Sequence, residues 1–140
     1  MDPTAAVAFV DLLDAYEWVS AAAFGENAAY LSRLTGKTFI DSDALDELPD
    51  DIEDGSAYLA VPHKAELRLG RELAINFSAE HLPDAAGQVS GFFRQRGAYG
   101  RFKDLLERTG CLEAWYEYEA KAVERALRGW CDENHITLLG

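Results

Sequence analysis

The residues from Leu112 to Cys131 form one long helical pattern that limits how this chain can fold. On a helical wheel the apolar side chains share one side and the charged side chains share the other. The apolar side consists of Leu112, Tyr116, Val123, Ala126, Leu127 and Trp130. A helix with such a face must bury it against other parts of the chain. The pattern therefore predicts a long C-terminal helix that contributes to the core.

Glu119 lies near the middle of this apolar face. A buried carboxylate has to be paired, hydrogen-bonded or protonated, because its charge is costly away from water. The preceding helical pattern carries Arg101 and Lys103 at the borders of its apolar stripe, from which a long side chain can reach inward. We predict an internal polar cluster of Glu119 with Arg101 or Lys103, and we favour arginine because its guanidinium can hold a carboxylate by two bonds. Removing one partner of a buried pair costs about 3–5 kcal/mol.

The charge of the chain is strongly negative and unevenly placed. The formal net charge is −12 at pH 7, and the stretch from Asp41 to Asp54 carries eight acidic residues and no basic one. Because this stretch also holds Pro49 and Gly55, we predict an acidic loop at residues 41–56. Such a field disfavours nucleic acid as a partner and favours a basic protein.

No segment has the composition of a membrane span or a signal peptide. The apolar runs are shorter than the roughly 20 residues that cross a bilayer, and Met1 to Ala5 lacks a basic region followed by an apolar stretch. We therefore expect no membrane association and a cytoplasmic location.

Shorter patterns predict an α+β fold. Strand-like runs occupy residues 6–10, 29–32, 37–40 and 57–61, and helical patterns occupy residues 11–23, 65–77, 84–94, 99–108 and 112–131. Strands early and helices late predict a small antiparallel sheet of about three strands from the N-terminal half, covered by four to five helices that come mostly from the C-terminal half. Gly36 is placed in a turn between two strands, where a positive φ is often needed. The 140 residues fit a single domain over residues 1–140.

The pattern of reactive residues indicates no catalytic, metal-binding or cofactor-binding set. His63, His81 and His135 are far apart in sequence and in no zinc-binding arrangement. The acidic loop does not follow the ligand order of a calcium-binding EF-hand. Cys111 and Cys131 flank the long helix, which would hold them about 30 Å apart, so we expect two free thiols.

Basic and aromatic residues alternate between Arg94 and Arg108. This composition is used for single-stranded nucleic acid, and the run Gly97-Ala98-Tyr99-Gly100 has the outline of a KH-domain loop. However, Phe102, Leu105 and Leu106 form a helical stripe that packing alone explains, and the net charge opposes nucleic acid. We therefore interpret the segment as part of the core. The alternative is an enzyme site that this segment forms together with Glu119.

Trp18 and Asp14 form the candidate interaction surface. In the helix that we predict from Asp11, the core-facing stripe is Leu12, Tyr16, Val19 and Ala23. Trp18 lies on the other side with Asp14, and tryptophan is enriched at binding hot spots. The alternative is that a loop or the final helix covers Trp18.

Several short motifs resemble those of a bacterial family catalogued as uncharacterised protein family 0158. They are Tyr30-Leu31-Ser32-Arg33-Leu34-Thr35-Gly36, the run from Gly97 to Leu106, Trp115-Tyr116, and Ala126 with Trp130. Ser32 stands where the resemblance leads us to expect aspartate, and the acidic loop is a local elaboration. The resemblance implies one domain and supplies no catalytic residue.

Three functions are compatible with these patterns. The first is a small cytoplasmic interaction or regulatory protein whose acidic surface binds a basic partner. The second is an enzyme with a polar site around Glu119 and the segment from Arg94 to Arg108. The third, which is weaker, is a nucleic-acid mimic that uses the acidic loop.

Overall fold

The protein has an α+β fold with a small sheet and several helices, as predicted. The computed structural model describes residues 5–42 and 48–140. In these residues the order of elements is β1 (Ala6–Ala8), α1 (Phe9–Ser20), β2 (Ala28–Ser32), β3 (Thr38–Asp41), β4 (Tyr58–Ala60), α2 (Arg71–His81), a 3-10 helix (Pro83–Ala85), α3 (Ala86–Phe92), α4 (Ala98–Thr109), α5 (Leu112–Glu133) and β5 (Thr137–Leu139).

The chain divides into two compact units. The first unit contains Met1–Leu67 and Arg125–Gly140, and the second contains Arg68–Glu124. The helix α5 therefore begins in the second unit and ends in the first. The single domain over residues 1–140 stays a prediction.

A three-stranded antiparallel sheet lies in the first unit, in the strand order β3-β2-β4. Tyr30 of β2 is opposite Phe39 on one side and Ala60 on the other. The helix α1 packs on β2 and β3 and buries Leu12, Tyr16 and Val19. It begins at Phe9 rather than at Asp11, because β1 runs directly into it, and Ala23 lies beyond its end and is exposed.

The predicted acidic loop follows β3. Its described residues 48–56 contain turns and no helix or strand, while residues 43–47 lie outside the described residues. Asp54 organises the end of this segment, since its carboxylate accepts hydrogen bonds from the backbone N–H and the hydroxyl of Ser56 at 2.9 and 2.6 Å. These two bonds stabilise the charged form and lower the pKa of Asp54.

The pairing of β1 with β5 was not predicted from the sequence. The two strands are parallel, with Ala6 opposite Thr137 and Ala8 opposite Leu139. The backbone N–H of Thr137 also donates to the carbonyl of Ala5 at 2.8 Å. A strand of three residues has no measurable periodicity, and its partner lies at the other end of the chain. Only the tertiary structure could bring them together.

The turn between β2 and β3 depends on Ser32 and Gly36. The Ser32 hydroxyl accepts hydrogen bonds from the backbone N–H groups of Leu34 and Thr35 at 3.2 and 3.1 Å. Aspartate forms the same local turn, so serine can replace the expected residue. Gly36 has a φ of +77°, as the turn was predicted to need, and a Cβ here would clash with the carbonyl of Ala6. Glycine is thus needed here both for the positive φ and for the close approach of β1.

The core of the second unit is aromatic. Phe77 of α2 is fully buried and meets Trp115 of α5 edge to face at 5.4 Å between ring centroids. Phe102 of α4 meets the same tryptophan at 4.9 Å. The helix α4 begins after Gly97 and ends at Gly110, both with positive φ, and Cys111 N–H closes its last turn on the Leu106 carbonyl.

The helix α5 follows its predicted pattern with one exception. Trp115, Val123 and Leu127 are buried, and the exposed Glu117 and Lys121 form the predicted ion pair at 3.0 Å. Tyr116 was placed on the apolar face but is 47% exposed. An exposed ion pair of this kind contributes at most about 1 kcal/mol, so the helix is held by its buried face.

We expect Gly36→Ala to destabilise the protein more than Gly25→Ala. Both glycines have positive φ, but a Cβ at Gly25 meets nothing within 4 Å. Strain alone should lower the free energy of unfolding by about 1–2 kcal/mol at Gly25. The added clash with Ala6 should cost Gly36→Ala a further 1–3 kcal/mol, roughly. Urea denaturation of the two variants measures both values, and equal losses would contradict the close contact.

We also expect the two cysteines to differ in reactivity. Cys131 is fully buried, and burial, with a smaller contribution from Asp132, raises the pKa of its thiol from 9.0 to about 11. This lowers the thiolate fraction about a hundredfold at neutral pH. Iodoacetamide labelling followed by mass spectrometry should modify the half-buried Cys111 first.

The same shift predicts a pH dependence. The neutral thiol of Cys131 contributes its full share of stability below about pH 9, and that share is lost as the pH rises towards about 11.

Protein unfolded in urea is the control for labelling, and both cysteines should then react at similar rates. Equal rates in the folded protein would disprove the burial of Cys131.

Candidate interaction surface and polar cluster

The outward side of α1 is acidic. We call Val10, Asp11, Asp14 and Glu17 the α1 solvent face, because all four are exposed and lie within about 120° on the helix. The helix contains no lysine, arginine or histidine. Among the described residues, none of these three carboxylates has an ion-pair partner. The face therefore presents three solvated charges, and Val10 is an apolar residue that is 60% exposed.

Trp18 lies at the border of this face and is partly built into the fold. It is half-buried, and its indole N–H donates to the carbonyl of Ala28 at 3.1 Å. Its own carbonyl accepts from the side-chain amide of Asn27 at 2.8 Å. Trp18 thus connects the end of α1 to the start of β2. Of the two residues predicted for the surface, Asp14 is the exposed one, and the exposed apolar neighbour is Val10, which the sequence did not single out.

The structure places Glu119 near Tyr99. Glu119 is half-buried on α5, and Tyr99 lies in the first turn of α4 with 41% of its surface exposed. Burial raises the pKa of the Tyr99 phenol, and the negative charges of Glu119 and then Glu72 raise it further. The Tyr99 hydroxyl also lies beside Gly70, 3.5 Å from where a Cβ would stand. Three helices of the second unit therefore bring a phenol and two carboxylates together.

The two cations predicted for this cluster are at the surface. Arg101 and Lys103 are both exposed, and the Arg101 guanidinium donates to the side-chain carbonyl of Gln95. An ion pair of Glu119 with Arg101 or Lys103 stays a prediction. Glu119 is half-buried, so water solvates its charge better than the sequence predicted. The loss of stability expected from Glu119→Gln is therefore smaller than for a fully buried ion pair. Tyr99 and Glu72 are the neighbours that sequence reasoning missed, since helix packing sets their proximity.

His63 is buried for structural reasons. Its Nδ1 accepts the backbone N–H of Ala65 at 3.0 Å, and its Nε2 lies 2.9 Å from the carbonyl of Ala22. The first bond leaves the proton on Nε2, which donates to that carbonyl. The ring of Phe24 also meets it edge to face at 5.8 Å. With both ring nitrogens bonded to backbone, His63 links two loops of the first unit and does not serve as a catalytic base.

Comparison with known proteins gives no match. No family model, no curated protein and no solved structure matches the chain. Among the described residues, no three or more histidines, cysteines or acidic residues are grouped so that they could hold a metal ion. None of the helices in the same residues has the length and apolar character that a membrane span requires.

We expect Glu119→Gln to lower the pKa of Tyr99 toward 10.0 without reaching it, because burial is the larger cause and remains. A pH titration followed by NMR of tyrosine labelled at the ring carbon that bears the hydroxyl measures this shift. Glu117→Gln is the matched control, since Glu117 is exposed on the same helix and pairs with Lys121. An unchanged Tyr99 titration in Glu119→Gln would show that Glu119 is not its neighbour.

Proposed function

We propose that this chain is a small cytoplasmic interaction protein and that the α1 solvent face binds a basic protein partner. The observation that carries the proposal is the combination of Asp11, Asp14 and Glu17, all exposed, on a helix without a basic residue. Such a surface attracts lysine and arginine side chains and steers a basic protein during encounter.

Energies indicate what else the partner must do. Exposed ion pairs contribute about 0.2–1 kcal/mol each, so three of them give at most roughly 3 kcal/mol. A micromolar complex requires about 8 kcal/mol. The partner must therefore also bury apolar surface, and Val10 and the exposed part of Trp18 are the neighbouring groups that offer it. Charge sets the specificity and the rate of association, and apolar contact supplies most of the affinity.

An enzyme is the second candidate, and the approach of Tyr99 to Glu119 supports it. Tyr99 belongs to the segment from Arg94 to Arg108, and burial, followed by the charge of Glu119, raises the pKa of its phenol. A protonated phenol can donate a hydrogen bond or a proton in acid–base chemistry. No group in the described residues identifies a substrate for it, so the interaction surface is favoured.

Two further proposals are each supported by a single observation. The nucleic-acid mimic is supported by the exposure of Asp41, Asp50, Asp51, Glu53 and Asp54, while the three acids at 43–47 lie outside the described residues. Membership of uncharacterised protein family 0158 is supported by the turn that the motif from Tyr30 to Gly36 forms between β2 and β3.

We expect Asp14→Lys/Glu17→Lys to weaken capture of the basic partner. The test is affinity capture from cell extract, followed by identification of proteins by mass spectrometry and measurement of the affinity of the purified partner. Reversal of two contact charges should weaken binding at least about tenfold, which corresponds to 1.4 kcal/mol.

The control is Asp104→Lys/Glu107→Lys, which reverses two exposed acids at the same spacing on α4. It changes the net charge equally and should leave capture intact. Thermal melts followed by circular dichroism establish that both variants are folded. If both variants lost the same proteins, binding would depend on net charge alone and the proposed face would be wrong.

A further inference from the structure

The negative charge of the chain is concentrated in one unit. The first unit carries sixteen acidic and five basic residues, whereas the second carries nine acidic and eight basic residues. A net charge of −12 therefore describes the first unit well and the second unit poorly. The net charge of the chain therefore does not oppose the binding of a negatively charged partner to the second unit.

The basic residues of the second unit are concentrated in a short stretch. We call residues 94–103 the basic segment; it contains Arg94, Arg96, Arg101 and Lys103 and no acidic residue. All four cations are exposed, along the turn after α3 and the first half of α4. Among the described residues, Arg94 and Arg96 have no ion-pair partner. The segment therefore presents guanidinium groups that match carboxylates.

The aromatic side chains next to this segment are used for packing. Phe92 and Phe93 are half-buried against the core of the second unit, and Phe102 is fully covered. Only Tyr99 is exposed among them, at 41%. Single-stranded nucleic acid needs a series of exposed rings on which successive bases stack. The arrangement therefore favours a protein surface that carries carboxylates.

We propose that the basic segment of one copy of this chain binds the α1 solvent face of a second copy. The inference rests on the proposed function, because it takes the same face and gives it a basic surface to bind, here the basic segment of a second copy. The charges are complementary: Arg94, Arg96 and Arg101 would meet Asp11, Asp14 and Glu17. The exposed Val10 of one surface and the partly exposed Tyr99 of the other supply the apolar contact that ion pairs alone do not give. Because each copy carries both surfaces, each copy can take part in two such contacts.

Salt should affect this contact in two opposite ways. Each copy carries −12 overall, so copies repel each other when screening is weak. The screening length is about 30 Å at 0.01 M salt, about 8 Å at 0.15 M and about 3 Å at 1 M. At 0.15 M the general repulsion is screened while charges in contact still attract, and at 1 M the contacts are weakened as well. Self-association should therefore be strongest at intermediate salt.

Sedimentation equilibrium of the purified full chain tests the proposal at these three salt concentrations. We expect self-association at 0.15 M that is weaker at 0.01 M and at 1 M. Arg94→Glu/Arg96→Glu should weaken it at least about tenfold at 0.15 M. Arg108→Glu/Lys121→Glu is the control, because both residues are exposed in the same unit and the net charge changes equally. The control should stay within about twofold of the wild type.

A charge exchange tests the pairing of the two surfaces. Asp11→Arg/Asp14→Arg alone should also associate more weakly than the wild type, and mixing it with Arg94→Glu/Arg96→Glu should restore association. A monomer at every salt concentration would overturn the inference, as would association that is as strong at 1 M as at 0.15 M or that Arg94→Glu/Arg96→Glu leaves unchanged. These results would leave the proposed function standing, because capture of a different basic protein through Asp14 and Glu17 tests that separately.

Discussion

Burial of the apolar face of α5 is the interaction on which most of this structure depends. Its first half places Trp115 against Phe77 and Phe102 in the core of the second unit. Its last turns bury Leu127 and Cys131, which belong to the first unit. One continuous helix thus contributes to both cores. A fully buried large side chain contributes on the order of 1.5–3 kcal/mol, several times the value of the exposed Glu117–Lys121 pair.

The polar groups of the protein divide into those that complete the fold and those that remain at the surface. Ser32, His63 and the Trp18 indole bond to backbone groups and hold turns or neighbouring elements in place. Burial makes such bonds necessary, because an unsatisfied buried polar group is costly. The carboxylates of α1 and the guanidinium groups of Arg94 and Arg96 have no such role among the described residues. These charged groups are therefore available to bind a partner at those two surfaces.

The separation of charge between the units changes how composition should be interpreted. The sequence showed that the net charge of −12 is unevenly placed, and the structure assigns it to a strongly acidic unit and a nearly balanced one. Charges act over a screening length of about 8 Å at physiological salt, so local arrangement matters more than the total. Interaction through an acidic helix face and interaction through a basic segment are then compatible in one chain.

The sequence by itself determined the elements with strong local signals. The period of α5 set its start at Leu112, the helical pattern at residues 99–108 gave α4 within about one residue, and the strand runs gave β2, β3 and β4 within about one residue. Gly36 was recognised as the turn residue because its positive φ is a local demand, whereas the close approach of Ala6 depends on the tertiary structure. These features depend on neighbours along the chain, where side-chain spacing and backbone preference decide the outcome.

Only the tertiary structure decided the remaining features, because they depend on residues that are distant in sequence. It paired β1 with β5, exposed Val10 while tying Trp18 to Ala28, and brought Tyr99 to Glu119. The sequence located Glu119 on an apolar face but could not determine its burial, which depends on how three helices dock. Hydrophobic spacing determines which side of a helix turns inward, whereas packing determines which neighbours it meets.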